Sequence, residues 1–273
     1  MLGEEQKEES EMKYVVDTHS HTIASGHAYN TLSEMAAAGK AAGLQALAVT
    51  DHAPGIPGTC EEIYFWNFKA IDRNAYGIEL LMGCETNILD YNGTISLSKR
   101  GLERLDICLA SIHDLCYTVG SKAENTRAYC KAMENPYVDI IGHPDDGRIP
   151  VDYEELVRCA RDTSKLLELN DSSLHPLGSR KGGHENMKTM LALCERYGVS
   201  VSLGSDAHFF DQVGRFTRVQ EIIDAVHFPE ELIVNTSVEK LKKHLHKIAL
   251  LYHVSCSFVF LAFLEIFFHV FHP

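Results

Sequence analysis

The chain has 273 residues, 45% of them hydrophobic, and a formal net charge of −13 with histidine neutral. That is enough apolar material for one large domain with a full core, and the acidic balance argues against the cationic face that nucleic-acid binding needs. The eight cysteines contain no Cys-x-x-Cys pair, which argues against a thiolate zinc site. Most lie in apolar stretches and read as buried free thiols of a reducing compartment, which favours a cytoplasmic location.

Residues 1–13 are polar and acidic, lack the pattern of a signal peptide, and read as a disordered extension. Met12 to Val16 reads as a first strand, leading into Asp17-Thr18-His19-Ser20-His21. Residues two apart on a strand share a face, so His19 and His21 project together, and His27 follows in a short loop. Thr31 or Ser33 caps a helix through Ala42 that Gly43 ends. Ala46 to Thr50 is a buried strand ending in Asp51-His52, followed by a Pro/Gly loop and a loop-helix region from Ile63 to Ala75 around Trp66. Ile78 to Cys84 is a strand ending at Glu85. Leu89 to Leu97, with Asn92-Gly93 at its centre, reads as a β-hairpin excursion. Leu105 to Ser111 is a strand ending at His113, and Asn125 to Glu134 a helix. Val138 to Ile141 leads to Gly142-His143-Pro144. Asp152 to Thr163 is a helix, Leu166 to Leu169 a strand ending at Asn170, and Glu185 to Tyr197 a helix stopped by Gly198. Val199 to Leu203 is a strand followed by Gly204-Ser205-Asp206-Ala207-His208. A helix from Val219 to Val226, a last short strand from Ile233 to Asn235 and a basic helix from Ser237 to His246 complete this part.

This alternation of strand and helix argues for parallel strands with helical crossovers. Neither a Gly-x-Gly-x-x-Gly nor a Walker loop is present, so the choice falls on an α/β fold of the distorted (β/α)7 TIM-like barrel kind, over residues 14–247. Such barrels gather their chemistry at the C-terminal ends of the strands. His19, His21, His27, His52, Glu85, His113, His143, Asp206 and His208 all fall there. Imidazole and carboxylate donors without thiolate suit zinc, manganese or iron, and nine of them exceed what one tetrahedral ion needs. Two or three ions are expected, with Glu85 as a natural bridge.

The sequence resembles the PHP (polymerase and histidinol phosphatase) family, most closely its single-domain YcdX-type phosphatases. The resemblance runs from about Val15 to Thr236. It is carried by Asp-Thr-His-Ser-His with His27, Thr50-Asp51-His52, Gly83-Cys84-Glu85, His113, Gly142-His143-Pro144, Ser179-Arg180-Lys181-Gly182 and Gly204-Ser205-Asp206-Ala207-His208. It implies a distorted barrel with a trinuclear site, usually zinc. One metal would take His19, His21, Glu85 and Asp206, a second Glu85, His113 and His143, and a third His27, His52 and His208. It further implies hydrolysis of phosphomonoesters of small metabolites through a metal-activated hydroxide, with Glu85 and Asp206 at the catalytic centre. Arg180 is the candidate phosphate-binding cation, because a guanidinium fork matches phosphate oxygens. Lys181 and His175 are weaker candidates, the latter as proton donor to the leaving group. Asp17 and Asp51 are expected to orient ligand imidazoles, and Asn170 to line the pocket. A phosphodiesterase or exonuclease of the same family, and a metal-binding protein without catalysis, are the alternatives.

Ile248 to Val270 lies outside the resemblance. It is long enough to span a bilayer and is preceded by Lys240, Lys242, Lys243 and Lys247. His253, Glu265 and His269 interrupt it. It reads as a membrane anchor, a packed helix or an appended sequence.

Overall fold

The computed structural model describes residues 14–246. The expected extension over 1–13 and the apolar tail over 248–273 lie outside the described residues. Among the described residues, no helix is long and apolar enough to cross a membrane.

Seven strands run in parallel in chain order: β1 (Val16–Asp17), β2 (Ala46–Val49), β3 (Glu79–Asn87), β4 (Ile107–Ser111), β5 (Ile140–Ile141), β6 (Leu166–Asn170) and β7 (Val201–Gly204). The helices between and after them are α1 (Leu32–Ala41), α2 (Ile63–Trp66), α3 (Lys99–Leu102), α4 (Lys122–Met133), α5 (Tyr153–Thr163), α6 (Gly183–Tyr197), α7 (Thr217–Val226) and α8 (Val238–Lys242). Local chemistry sets their starts. Thr31 with Glu34, and Ser121 with Glu124, form reciprocal capping boxes on α1 and α4, and the Asp152 side chain accepts the first free N–H groups of α5.

The period of two along the strands creates two cores. Leu47, Val49, Leu80, Met82, Leu167, Leu169 and Leu203 face outward and pack against the helices. Ala46, Ala48, Leu81, Ile107, Leu109, Ile140 and Leu166 face inward and fill the lower barrel, sealed from below by Val238, Leu241 and Leu245 of the α8 region. Lys242 pairs with Glu79, and the backbone and ring of His246 bond to Asp139, both partners sitting at strand starts. The barrel floor is therefore apolar and plugged, and the polar residues of the same inward rows collect above it.

The seam between β1 and β7 is closed without a regular ladder. At the mouth, Asp206 N donates to His19 O and His21 N to Ala207 O, both at 2.9 Å. Lower down, the buried Asn235 side chain accepts from Leu203 N and donates to Val16 O and Leu203 O. This corrects the expected strand over Ile233 to Asn235. The segment is a 3-10 turn, Val234–Thr236, with one bridge from Ile233 to Val201, because the amide side chain of Asn235 makes the bonds a backbone strand would have made.

Three other expectations change. Glu85 lies inside β3, two residues before its end, since β3 runs on to Asn87. The Leu89–Leu97 excursion is a tight turn with a single Ile88–Ile95 antiparallel bridge. The last helix is only Val238–Lys242. Among the cysteines, Cys84, Cys108 and Cys194 are buried free thiols as expected. Cys130 on α4 and Cys159 on α5 instead form a disulfide, because neighbouring crossover helices bring their Cα atoms to 5.6 Å.

Candidate metal centre

The strand rows that fill the lower barrel continue upward into the site. On β3 the inward row runs Leu81, Gly83, Glu85, Asn87; on β6 it runs Leu166, Glu168, Asn170. Glycine is required where these rows crowd. At Gly204 on β7 a Cβ would collide with the Glu168 carboxylate and come within 2.6 Å of His19 Cβ.

The nine expected donors converge above the floor from six strand ends. His19 Nε2 and His21 Nε2 are 2.9 Å apart. Glu85 Oε2 lies 3.3 Å from His19 Nε2 and 3.6 Å from His21 Nε2, and Asp206 Oδ1 lies 3.6 and 3.2 Å from the same two nitrogens. The other Glu85 oxygen, Oε1, is 2.8 Å from His143 Nε2 and 3.2 Å from His113 Nε2. His27 Nε2 and His208 Nε2 are 3.0 Å apart. His52 stacks on His27 with ring centroids 5.0 Å apart, while its Nδ1 lies 2.8 Å from Glu85 Oε2. The groupings that present three donor atoms to a common point are His19/His21/Glu85, His52/Glu85/His113 and His21/His52/His208. His52 is thus drawn toward Glu85, and His21 stands closer to His208 than the expected grouping has it.

This donor set fits divalent ions. Glu85 Oε2, His52 Nδ1 and His113 Nε2 are buried with no hydrogen-bond partner, a costly arrangement unless another electron-pair acceptor satisfies them. Two of the residues are held in left-handed backbone conformations, His143 at φ 31° and Asp206 at φ 54°. Such strain persists where the surrounding fold over-determines a functional position.

The outer nitrogens of the rings are fixed by partners that sequence reasoning did not single out. Glu168, fully buried, accepts from His19 Nδ1 at 2.7 Å through Oε1, and from the His143 backbone N at 2.7 Å through Oε2. Ser25 Oγ lies 3.0 Å from His21 Nδ1, and Asn87 Oδ1 2.8 Å from His113 Nδ1. The available signal for Glu168 was its place in Leu-Leu-Glu-Leu-Asn, a charge on the same face as Leu166 and Asn170 of a buried strand. Asp17 and Asp51 do not touch the imidazoles. Asp17 accepts from the Ser205 N and Oγ, Gly214 N and His19 N. Asp51 accepts from Thr22, Tyr64 and Ser25, and so reaches His21 only through the Ser25 hydroxyl.

Arg180 is brought into the site. Its Nη1 donates to Asp206 Oδ2 at 2.9 Å, to Asn170 Oδ1 at 3.0 Å and to Ser173 Oγ at 3.3 Å. Asn170, fully buried, also donates to Asp206 Oδ2. Lys181 and His175 are exposed and stay apart from the cluster. His175 Nδ1 accepts from Leu177 N and its ring lines an outer cavity of about 380 Å³ with Asp171, Arg215 and Arg218.

The charges are strongly coupled. Burial alone would raise Glu85, but His113, His19 and His52 hold its carboxyl well below the usual range. Burial opposes Asp206 in the same way, and His19 and Arg180 hold it ionised. His19 is pushed down by burial, yet Glu168, Glu85 and Asp206 together raise it well above an ordinary histidine. His21 is driven well below, by burial and by His208 and His52. Asp145, fully buried beside the site, is pushed up to about 7 by burial, against the pull of Arg180.

Fold and site together define an α/β barrel with a cluster of histidine and carboxylate groups that could hold metal ions. The family profile described as the PHP domain matches residues 17–174. A probable phosphatase of Clostridium novyi is 44% identical over 86% of this chain and 95% of its own length. A probable phosphatase of Acetivibrio thermocellus is 43% identical over 86% of this chain and 97% of its own. Among solved structures, histidinol phosphate phosphatase of Lactococcus lactis, complexed with zinc, L-histidinol and phosphate, superposes with a TM-score of 0.56 at 16% identity, over 79% of this chain and 95% of that one. The chain belongs to the PHP family, and it is a phosphoric-ester hydrolase.

Proposed function

We propose that the protein hydrolyses phosphomonoesters of small metabolites at a site of three divalent ions, zinc first, with manganese or iron as alternatives. The observation that carries this reading is Glu85, whose two oxygens each face a separate set of imidazoles. His19, His21, Glu85 and Asp206 would hold one ion, Glu85, His113 and His143 a second, and His27, His52 and His208 a third. The phosphate in the Lactococcus lactis relative supports a phosphorylated substrate. The reaction is assigned to the barrel, residues 14–247, with the apolar segment 248–273 outside it.

When bound, divalent ions supply Lewis acidity, lowering the pKa of water and neutralising phosphoryl oxygens. The chain's own groups do the rest. Glu168, Ser25 and Asn87 take up the Nδ1 positions of His19, His21 and His113, leaving each Nε2 aimed into the cluster. Arg180 spends only Nη1 on protein partners, so Nη2 and Nε are free among the described residues to grip two phosphoryl oxygens.

Elemental analysis coupled to a phosphoester panel tests this reading. About three ions per chain and turnover of phosphomonoesters are expected, with single-stranded DNA left intact. His27→Ala should lose about one ion while the others remain. Fewer than two tightly bound ions, or no hydrolysis of any phosphomonoester, overturns it.

A further inference from the structure

One buried acid beside the site has no role in the account above. Asp145 follows His143-Pro144 and is fully buried. Its Oδ1 accepts from Ser173 Oγ at 3.2 Å, but its Oδ2 has no hydrogen-bond partner. Leaving a buried carboxyl oxygen unpaired is unfavourable, so the fold holds it there against a penalty.

The surroundings show what it faces. Ser173 Oγ, which donates to Asp145, also receives Arg180 Nη1 at 3.3 Å. Asp145 and Arg180 are close enough to interact electrostatically, each favouring the other's charged form. The loop carrying Asp145 is tied to the start of α6 and the segment after Arg180. Asn186 Nδ2 donates to Asp145 O at 2.8 Å, and Gly147 N donates to Lys181 O at 2.7 Å. At Gly183 a Cβ would lie 2.8 Å from Asp145 Oδ2, so the first helical residue is glycine where the acid needs room. Arg180 thus has two acids near it, Asp206 in direct contact and Asp145 reached through Ser173.

We infer that Asp145, with Ser173 as relay, is a positioning residue that holds Arg180 over the phosphate site when Asp206 shares its carboxylate with a metal ion. This rests on the phosphatase reading and adds to it the second anchor of the phosphate-binding cation. With Asp206 engaged by metal, Arg180 loses part of the charge that now fixes it. Asp145 then supplies a partner that no ion competes for, and the guanidinium stays oriented with its unspent N–H groups toward the substrate. Asp145 touches neither substrate nor reacting atoms.

The test uses the full metal-loaded chain. Inorganic phosphate binding is followed by calorimetry, kcat and KM with p-nitrophenyl phosphate, and bound metal by elemental analysis. Asp145→Asn should weaken phosphate binding and raise KM about tenfold, equal to about 1.4 kcal/mol, with metal content intact and kcat changed far less. In an Arg180→Ala background the same substitution should change phosphate affinity no further, since the residue acts only through Arg180. Ser173→Ala, which removes the relay and leaves the acid, should give a smaller loss of the same kind and serves if Asp145→Asn does not fold. Unchanged phosphate affinity in Asp145→Asn, or an equal loss with and without Arg180, overturns the inference. A wild-type protein that carries its metals yet neither binds phosphate nor hydrolyses any phosphomonoester overturns the phosphatase reading itself.

Discussion

Glu168 serves two of the expected metal ligands from one carboxylate, orienting the His19 ring with one oxygen and fixing the His143 backbone with the other. Glu168→Gln keeps the size but places an amide donor where one of two N–H groups must be received. Removing such a supporting partner lowers metal affinity or activity by roughly 10- to 100-fold. Steady-state kcat/KM alongside metal content should show that loss, with the fold retained in circular dichroism. The histidines themselves were legible because His-x-His and Asp-x-His stand out at strand ends. Glu168 was not, because it sits in the middle of an apolar strand, where its meaning depends on which face turns inward. Arg180 was legible by type, but only the fold shows that it pairs with Asp206 and lies 17% exposed. Asp17 and Asp51 were correctly placed near the site and wrongly given imidazoles. Their oxygens are consumed by backbone and hydroxyl donors that come from distant segments.

At the scale of elements, helix starts were readable where the cap was recognised, at Thr31 and Asp152, whereas α4 begins at Lys122 behind the Ser121 cap, ahead of the expected Asn125. Asp152 accepts from Glu154 N and Glu155 N at the start of α5, and these bonds, that from Glu155 first, hold its carboxyl below the ordinary 3.8. Asp152→Ala should cost about 1 kcal/mol at neutral pH. The sign with pH follows from the direction of the shift. A carboxyl whose pKa is lower in the folded than in the unfolded chain stabilises above the unfolded value and loses that contribution as pH falls through the folded one. Urea midpoints of wild type and variant should therefore differ at neutral pH and draw together as the pH falls below 3.8. A gap that stayed constant would mean that the cap acts without its charge. The β1–β7 closure was not legible, because it joins segments 185 or more residues apart in sequence and, below the backbone bonds at the mouth, relies on the side-chain amide of Asn235.

For the whole molecule, the barrel class followed from the alternation of elements, whereas the cross-link between α4 and α5 did not, since pairing among scattered cysteines cannot be deduced from sequence. Cys130 and Cys159 enclose a loop with a separation of 29 residues. The chain-entropy relation puts the stabilisation from closing such a loop at roughly 3–4 kcal/mol. Chemical reduction, or Cys159→Ser, should lower the denaturation midpoint accordingly. Phosphomonoester turnover under native conditions should be unchanged, because both cysteines lie on outer helices away from the cluster. Loss of turnover on reduction while the fold persists would contradict that separation.

The plugged floor has a further consequence. The polypeptide passes beneath the barrel at His246, held to Asp139, while every donor of the metal centre opens at the opposite pole. A tether joined just past that point, whether a resin linker, a reporter or a surface, grips the molecule from behind. The donor cluster then points away from whatever holds the chain there.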